Sequence, residues 1–264
     1  MAEIRYIASL SDNPDRLARF YGNYFGLTEL GRSNEGDVSL TDGHYNFSVL
    51  KMRPELKEPR NEIGLHHIGL QVESISAVRD RYLKFNPRGT IAPEPDDLHH
   101  GEIRIYDPEM NPVTLSEGPF AVDGDERRYP RIAHIAFEAM LPENLMNFYC
   151  DVLGLREVES SFHYRAQGQL NRFCGDGRTN LAIHPFYSQS VGHEGRFGVQ
   201  HFGVLIDDMK DKLAVLEKVA PPVKRPSDRP FAEFRLRDPD HNGLDLSQTS
   251  GWEVDFRKWD RVAD

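Results

Sequence analysis

The hydrophobic and polar positions near the N-terminus predict a strand followed by an amphipathic helix. The apolar-rich run that begins at Ile4 is typical of a strand. Gly26 stands where the helix is expected to end, since glycine readily adopts the left-handed conformation of a C-terminal cap. Between them, four apolar residues recur at the spacing of one helical face: Leu17, Phe20, Tyr21 and Tyr24.

The same order of elements, a strand, a helix and about three further strands, recurs four times along the chain. The second unit contains a predicted strand His67–Val72 and a predicted helix Ile75–Phe85. The third and fourth units begin at His134 and His201. Sheets combined with helices in this order are typical of an α+β fold.

Sequence motifs repeat with the elements, at a nearly constant separation. The stretch LARFYGNYFGLTEL, which starts at Leu17, is matched by LMNFYCDVLGLREV, which starts at Leu145. An Asp-Pro-x-x-Asn motif occurs at Asp107 and again at Asp238. Such self-similarity indicates a duplicated unit. We therefore predict an N-terminal domain over 1–120, a C-terminal domain over 131–250 and a tail over 251–264, with a Gly-, Pro- and charge-rich linker between the domains.

The net charge of the chain limits the kinds of partner that it is expected to bind. The 264 residues carry a formal net charge of −10, which argues against nucleic acid or an anionic membrane as the main partner. The N-terminal sequence MAEIRYIASL lacks the pattern of a secretory signal, and no apolar run is long enough to span a bilayer. We expect a cytoplasmic protein, in which Cys150 and Cys174 are free thiols.

The repeated frame resembles the vicinal oxygen chelate superfamily, which includes glyoxalase I, bleomycin-resistance proteins and extradiol dioxygenases. The features that carry the resemblance are a strand that starts with His, a helix that ends in F-Y-x-x-x-L-G-L and a strand after D-P-x-x-N. The resemblance implies four tandem βαβββ modules that pair into two open, cup-shaped barrels, as in the two-domain extradiol dioxygenases.

The resemblance also implies a metal site in the second half. The family takes its ligands from the first and last strands of paired modules, and these positions hold His134, His201 and Asp245. Two His and one carboxylate form a facial triad, which favours Fe(II) and also suits Mn, Ni, Co or Zn. The alternative is that the two histidines are core residues hydrogen-bonded within a sheet. The first half has Tyr6, His67 and Thr114 at these positions, so we expect no metal there.

Three positions depart from the extradiol pattern. Asp245 stands where the family usually has Glu, and Arg235 stands where an extradiol enzyme has a Tyr. Asn180 stands nearest to the position of an active-site His, and an amide is not a general base. The acid–base groups of standard catechol cleavage are therefore missing or relocated.

His184 and Arg235 are the candidate catalytic residues. His184 lies two residues after Ala182, so in a strand both side chains share one face. Ala182 stands where glyoxalase-like enzymes place another metal ligand, so the resemblance implies that His184 is a fourth ligand or a general base. The alternative is a solvent-facing His at a strand end. Arg235 is suited to a two-point contact with an anionic substrate group, and its alternative is a solvated surface position.

Three classes of function remain open on the sequence. The first is an extradiol-type dioxygenase that acts on a catechol-like aromatic substrate. The second keeps the metal without oxygen, as a lyase, isomerase or hydrolase of the glyoxalase type. The third is a metal-free protein that sequesters a small molecule. An aromatic or anionic small molecule is the expected substrate in the first two classes, and a homo-oligomer is compatible with all three.

Overall fold

A computed structural model describes residues 2–53, 62–94, 101–124, 129–158, 165–166, 169–186, 197–225 and 232–248. The first half contains β1 Glu3–Ser11, α1 Pro14–Phe25, β2 Thr28–Arg32, β3 Val38–Thr41, β4 Asn46–Lys51, β5 Gly64–Gln71, α2 Ile75–Phe85, β6 Ala92–Pro93, β7 Ile103–Tyr106 and β8 Pro112–Ser116. The second half contains β9 Arg131–Ala139, α3 Pro142–Asn147, a π-helical segment Phe148–Val152, β10 Arg156–Glu157, β11 Arg165–Ala166, β12 Gln169–Leu170, β13 Arg172–Gly175, β14 Asn180–Pro185, β15 Gly198–Leu205, α4 Met209–Leu216, β16 Val223–Lys224, β17 Phe234–Arg237 and β18 Gly243–Ser247.

Each half is built on one eight-stranded mixed sheet. The strand order is β2-β3-β4-β1-β5-β8-β7-β6 in the first half and β10-β13-β14-β9-β15-β18-β17-β16 in the second. The two orders correspond strand for strand, and the first strands of paired modules, β1 with β5 and β9 with β15, run antiparallel at the centre. Each sheet ends in two different strands and is therefore open. The predicted α+β class and the pairing of four modules into two open sheets are confirmed.

Helix α1 forms where its sequence predicts it. Asn13 accepts a hydrogen bond from the Arg16 amide through its side chain, and Pro14 occupies the first turn, where no amide donor is needed. Gly26 ends the helix in the left-handed conformation with φ of 67°. The predicted apolar face packs against β3 and β4, and Leu17, Phe20 and Tyr21 are buried.

The equivalent helix of the third module departs from regular α geometry. Helix α3 continues into the π-helical segment, which contains Cys150, and Gly154 follows with φ of 77°. The sequence motif is the same as in α1, so the periodicity predicts a continuous helix. In a π turn each backbone hydrogen bond spans one more residue than in an α-helix. The spacing of apolar residues in the sequence does not reveal this change.

The two halves share one apolar core, and their repeated motifs meet across it. The Tyr21 ring lies 4.9 Å from Phe47 of its own half and 5.8 Å from Phe202 of the other half. The Tyr21 hydroxyl donates a 2.8 Å hydrogen bond to Asp238 Oδ2. In the reciprocal position, Tyr149 is buried beside Asp107. The Phe-Tyr motif of each half therefore packs on the Asp-Pro motif of the other.

Among the described residues, no helix is both long and apolar enough to cross a membrane. The predicted tail over 251–264 lies outside the described residues. The cytoplasmic location and the homo-oligomer stay predictions.

Candidate metal centre

Five residues form one row across five neighbouring strands of the second sheet. Asn180 on β14 pairs with His134 on β9, and His134 pairs with Gly203 on β15. Gly203 in turn pairs with Asp245 on β18, which pairs with Arg235 on β17. Paired residues project from the same face of a sheet, so these side chains converge. Gly203 contributes no side chain and leaves space between His134 and Asp245.

The first sheet carries the same row with two changes. Asn46, Tyr6, Gly69, Thr114 and Arg104 pair in the same order across β4, β1, β5, β8 and β7. The amide, the glycine and the arginine are therefore common to both halves. The two positions that differ, Tyr in place of His and Thr in place of Asp, are those of the predicted ligands.

The strands that pair with β15 on either side place His201 in the second site. It lies two residues before Gly203 on β15 and pairs with Ala136 on β9 and Gly243 on β18. A Cβ atom on Gly243 would lie only 3.0 Å from the His201 Cβ. The glycine therefore allows the close approach of the two strands beside His201.

The structure brings the three predicted ligands together in a buried cluster. His201 Nε2 lies 3.4 Å from Asp245 Oδ2, and the His134 and His201 rings are 5.3 Å apart between centroids. All three side chains are buried, with at most 5% of the residue surface exposed. The two imidazoles are hydrogen-bonded within the sheet, as the core-residue interpretation expects, and they also lie beside a carboxylate, as the metal-site interpretation expects.

Burial sets the charge state of the cluster. It lowers the pKa of His134 to about 4 and that of His201 to about 3, because a charged imidazolium is poorly solvated there. The pKa of Asp245 lies well below its ordinary value: burial raises it, but the charge of Arg235 and the contact with His201 more than offset that effect. At neutral pH the site therefore holds two neutral imidazoles and one carboxylate.

Amide side chains fix the orientation of both imidazoles. Gln200 Nε2 donates to the Glu138 carboxylate at 3.2 Å, which turns the Gln200 oxygen toward His201 Nδ1 at 2.5 Å. The Nδ1 of His201 therefore carries the proton, and its Nε2 presents a lone pair toward Asp245. His134 Nδ1 likewise lies 2.9 Å from the Asn180 oxygen. Sequence analysis named Asn180 only as a residue that cannot act as a base, and it did not single out Gln200.

The ligand atoms of this cluster, imidazole nitrogen and carboxylate oxygen, are of the kinds that bind a divalent metal ion. A neutral Nε2 lone pair and a carboxylate oxygen face each other at 3.4 Å with no proton to share, and a cation between them removes that repulsion. Two ligand atoms that are each about 2.1 Å from one ion at a tetrahedral angle lie about 3.4 Å apart. Histidines whose other ring nitrogen donates to an oxygen are the usual form of a metal-binding His.

One contact works against a preformed site. Arg235 donates from Nε to Asp245 Oδ1 at 2.5 Å and from Nη2 to Oδ2 at 2.7 Å, so both carboxylate oxygens are engaged. Within the ranges that the structure describes, no three His, Cys, Asp or Glu side chains are arranged as a metal site. Metal binding thus requires Asp245 to turn from Arg235 toward His134 and His201.

His184 lies inside the cluster and not at a solvent-facing strand end. Its ring stacks on that of His201 at 6.2 Å between centroids, with 7° between the planes, and it is buried. Burial and the neighbouring His201 lower the pKa of His184 well below its ordinary value. Among the described residues its Nδ1 has no hydrogen-bond partner. Besides its contact with Asp245, Arg235 lines a cavity of about 450 Å³ together with Lys224, Arg225 and Arg237.

In the first half, aromatic side chains occupy the space that corresponds to the cluster of the second half. The Tyr6 ring stacks on Phe120 at 5.3 Å, and Phe120 comes from the linker that follows β8. A Cβ on Gly69 would lie 2.9 Å from the Tyr6 Cβ and 3.0 Å from the Phe120 ring. Arg104, which has no carboxylate opposite it on β8, pairs with Glu94 instead. In the described part of the first half, the Tyr6 ring thus lies between Phe120 and His67, 5.4 Å from the His67 ring.

A protein-family model described as "Glyoxalase/Bleomycin resistance protein/Dioxygenase superfamily" matches residues 3–115 and again residues 131–246. The chain belongs to this superfamily. The two matched segments coincide with the two sheets. A search of the curated proteins finds no match.

Several solved structures have the same fold as this chain. The 2,3-dioxygenase LapB from Pseudomonas sp. KL28 superposes with a TM-score of 0.68 at 15% identity, covering 92% of this chain and 91% of that one. The Mn(II)-bound glyoxalase from Novosphingobium aromaticivorans gives 0.66 at 20% identity, with 97% and 84% covered. A variant of 4-hydroxymandelate synthase from Streptomyces coelicolor gives 0.66 at 14% identity, with 93% and 92% covered. At these identities the likeness concerns the fold.

Proposed function

We propose that the protein is a metal-dependent enzyme in which His134, His201 and Asp245 hold one divalent ion, with Fe(II) favoured. The observation that carries this proposal is the buried cluster in which His201 Nε2 lies 3.4 Å from Asp245 Oδ2 and the His134 ring lies beside His201. The neighbouring structures named as dioxygenases and as a Mn(II)-bound glyoxalase support it.

The proposed reaction is an extradiol-type ring cleavage, in which dioxygen is added to a catechol-like aromatic compound. When bound, the ion supplies a Lewis acid and a template for two adjacent substrate oxygens. The protein supplies the remaining functions. The side chains of Asn180 and Gln200 hold the two imidazoles in orientation, and the buried wall limits the access of water.

His184 is the group proposed to accept a substrate proton. Its ring is stacked against His201, next to the site, and its Nδ1 has no partner among the residues described. It replaces, from a position four residues later on the same strand, the base that Asn180 cannot provide. Because the pKa of His184 lies well below its ordinary value, this nitrogen would accept a proton only from a substrate hydroxyl whose own pKa a bound metal ion has lowered.

Arg235 is proposed to bind an anionic substrate group. Its Nε and Nη2 contact Asp245, which leaves the two protons of Nη1 for a further acceptor. The guanidinium borders the cavity beside β16 and β17, and Lys224 and Arg237 on its rim add positive charge. A carboxylate-bearing aromatic compound matches this charge.

A second candidate keeps the metal and omits oxygen, as a lyase, isomerase or hydrolase. The observation that favours it is the contact between Asn180 and His134. Asn180 stands near the position where an extradiol enzyme has its active-site His, but it orients His134 and does not transfer protons. In this function a bound ion would supply charge stabilisation for an enediolate or oxyanion, and His184 would move the proton in the same way.

Oxygen uptake tests the two candidates. The purified protein, loaded with Fe(II) and separately with Mn(II), is screened with catechols with and without a carboxylate substituent. Uptake that matches product formation supports the dioxygenase. His184→Gln should then lower the turnover number about 100-fold while metal content stays the same. Metal-dependent turnover without oxygen uptake would favour the second candidate, and turnover that does not require metal would contradict both.

A further inference from the structure

The cavity that Arg235 lines, at the β16 edge of the second sheet, is rich in basic side chains. It has a volume of about 450 Å³, and four of its lining residues are Lys224, Arg225, Arg235 and Arg237. Its apolar part includes Val223, whose side chain is exposed. None of the described residues that line this cavity is acidic. In a chain with a formal net charge of −10, such a group of cations attracts negatively charged ligands locally.

Strand pairing identifies the equivalents of these residues in the first half. Val223 on β16 pairs with Arg235 on β17, as Ala92 on β6 pairs with Arg104 on β7. The edges of the two sheets therefore align with Arg235 at the position of Arg104. The residues that follow on each strand can then be compared one by one.

Three of the four cations occur only in the second half. The equivalent pairs are Lys224 and Pro93, Arg225 and Glu94, and Arg237 and Tyr106. The backbone is alike at the middle pair, because the amide of each residue donates to a carbonyl of the neighbouring strand segment. The fold thus accepts a proline, an acid and a tyrosine at these positions, and it does not require the cations.

The two halves also differ in the carboxylate that pairs with the common arginine. Arg104 pairs with Glu94 of the edge strand, whereas Arg235 pairs with Asp245 on the other side. Arg225 therefore places a positive charge where the first half has a carboxylate. Four cations and one carboxylate give this edge of the second sheet a formal charge of +3, while the equivalent pair in the first half is neutral.

We propose that this cavity binds a dianionic group of the substrate, either a phosphate monoester or a pair of carboxylates. A dianion offsets more of the positive charge than a single carboxylate does. Guanidinium groups match the oxygen atoms of both kinds of group, and Lys224 adds a point charge. The exposed side chain of Val223 provides an apolar contact for the carbon body of the ligand. In calling the ligand a substrate, the inference rests on the proposed function, whereas binding of the dianion does not.

Isothermal titration calorimetry of the full-length protein at pH 8 and low ionic strength tests the inference. The probes are phenyl phosphate and phthalate, which carry two negative charges, and benzoate, which carries one. We expect the tighter-binding dianion to bind about tenfold more tightly than benzoate, and this difference to shrink in high salt. The comparison of the two dianions shows which group the cavity prefers.

Single variants locate the binding site. Lys224→Gln and Arg225→Gln each remove one positive charge, and each should weaken binding of the tighter dianion about tenfold and binding of benzoate less. Lys210→Gln is the matched control, because Lys210 is exposed on α4 and does not line the cavity. It should leave the affinity for all three probes unaltered. Thermal melting of each variant is the control for folding.

Three results would overturn the inference. They are a wild-type protein that binds none of the probes, one that binds the dianions no more tightly than benzoate, and a dianion affinity that Lys224→Gln and Arg225→Gln change no more than Lys210→Gln does. The titration needs neither metal nor turnover. Loss of this site and loss of the metal-dependent function are therefore observed in separate measurements.

Discussion

Arg235 and Asp245 face each other across β17 and β18 in a two-point ion pair, with contacts of 2.5 and 2.7 Å. The corresponding strands of the first half place Arg104 opposite Thr114, and Arg104 pairs with Glu94 instead. The arginine is therefore common to both cups, while a carboxylate opposite it occurs only in the second. Since Asp245 also contacts His201, any ion bound by the cluster competes with Arg235 for this carboxylate.

The first prediction concerns this competition. Arg235→Gln should bind Mn(II) about tenfold more tightly than the wild type, because Asp245 is released and a nearby positive charge is removed. Isothermal titration calorimetry measures the change. The matched variant Arg104→Gln, in the first half, should leave the affinity unaltered. Weaker binding in Arg235→Gln would instead mean that the arginine holds Asp245 in its binding position.

The second prediction concerns the amide that orients His201. Gln200→Leu removes the oxygen that fixes the protonated Nδ1, so the Nε2 lone pair is no longer directed at Asp245. Metal affinity should fall about 10- to 100-fold, as is usual when such a partner is lost. Thermal melting of the metal-free protein is the control for folding. Unchanged affinity would exclude an orienting role for Gln200.

The third prediction concerns pH and the buried carboxyl of Asp238. Burial raises its pKa from 3.8 to about 6, although Asn242 and Tyr21 donate hydrogen bonds to it. Because the folded pKa is above the unfolded one, the stability that this group contributes is fully present below pH 3.8 and is lost as pH rises through 6. The full loss corresponds to about 3 kcal/mol.

Urea unfolding between pH 4 and 8 measures this dependence. The free energy of unfolding of the wild type should fall across this range relative to that of Asp238→Asn, whose side chain does not titrate. Parallel pH profiles for the two proteins would show that Asp238 has an ordinary pKa in the folded state.

The fourth prediction concerns the contact between the halves. Tyr21→Phe removes the hydroxyl that donates to Asp238, and it should lower the free energy of unfolding by about 1 to 2 kcal/mol. The cost should be larger at pH 8 than at pH 5, because the ionised carboxylate depends more on its donors. Tyr149→Phe, which removes the equivalent hydroxyl beside Asp107, is the matched variant. A pH-independent cost would argue against a hydrogen bond to a titrating Asp238.

The fold could be predicted from the sequence because the patterns that indicate it are local and repeated. The four apolar positions of α1, the cap at Gly26 and the start of β15 near His201 are set by hydrophobic spacing and glycine geometry within a few residues. Repetition of the motifs then implied that the same unit forms again. The π turn at Cys150 was not predictable, since the repeated motif is the same in the regular helix α1.

The site was only partly predictable because its electrostatics depend on neighbours that are distant in sequence. The positions of His134, His201 and Asp245 were implied by the family resemblance, and the structure places these three side chains beside one another. The ion pair between Arg235 and Asp245 depends on strand pairing, and it engages an arginine that the sequence left free for substrate. In the sequence, Gln200 looks like an ordinary strand residue. Its role in orienting His201 depends on its contact with Glu138, which only the structure shows.

Metal content tests the central claim most directly. The purified wild type, His134→Ala and the first-half control His67→Ala are each reconstituted with Fe(II) or Mn(II), desalted and measured by plasma mass spectrometry. The account predicts about one ion per chain in the wild type and in His67→Ala, and almost none in His134→Ala. No retained ion in the wild type, or equal amounts in the wild type and His134→Ala, would contradict it.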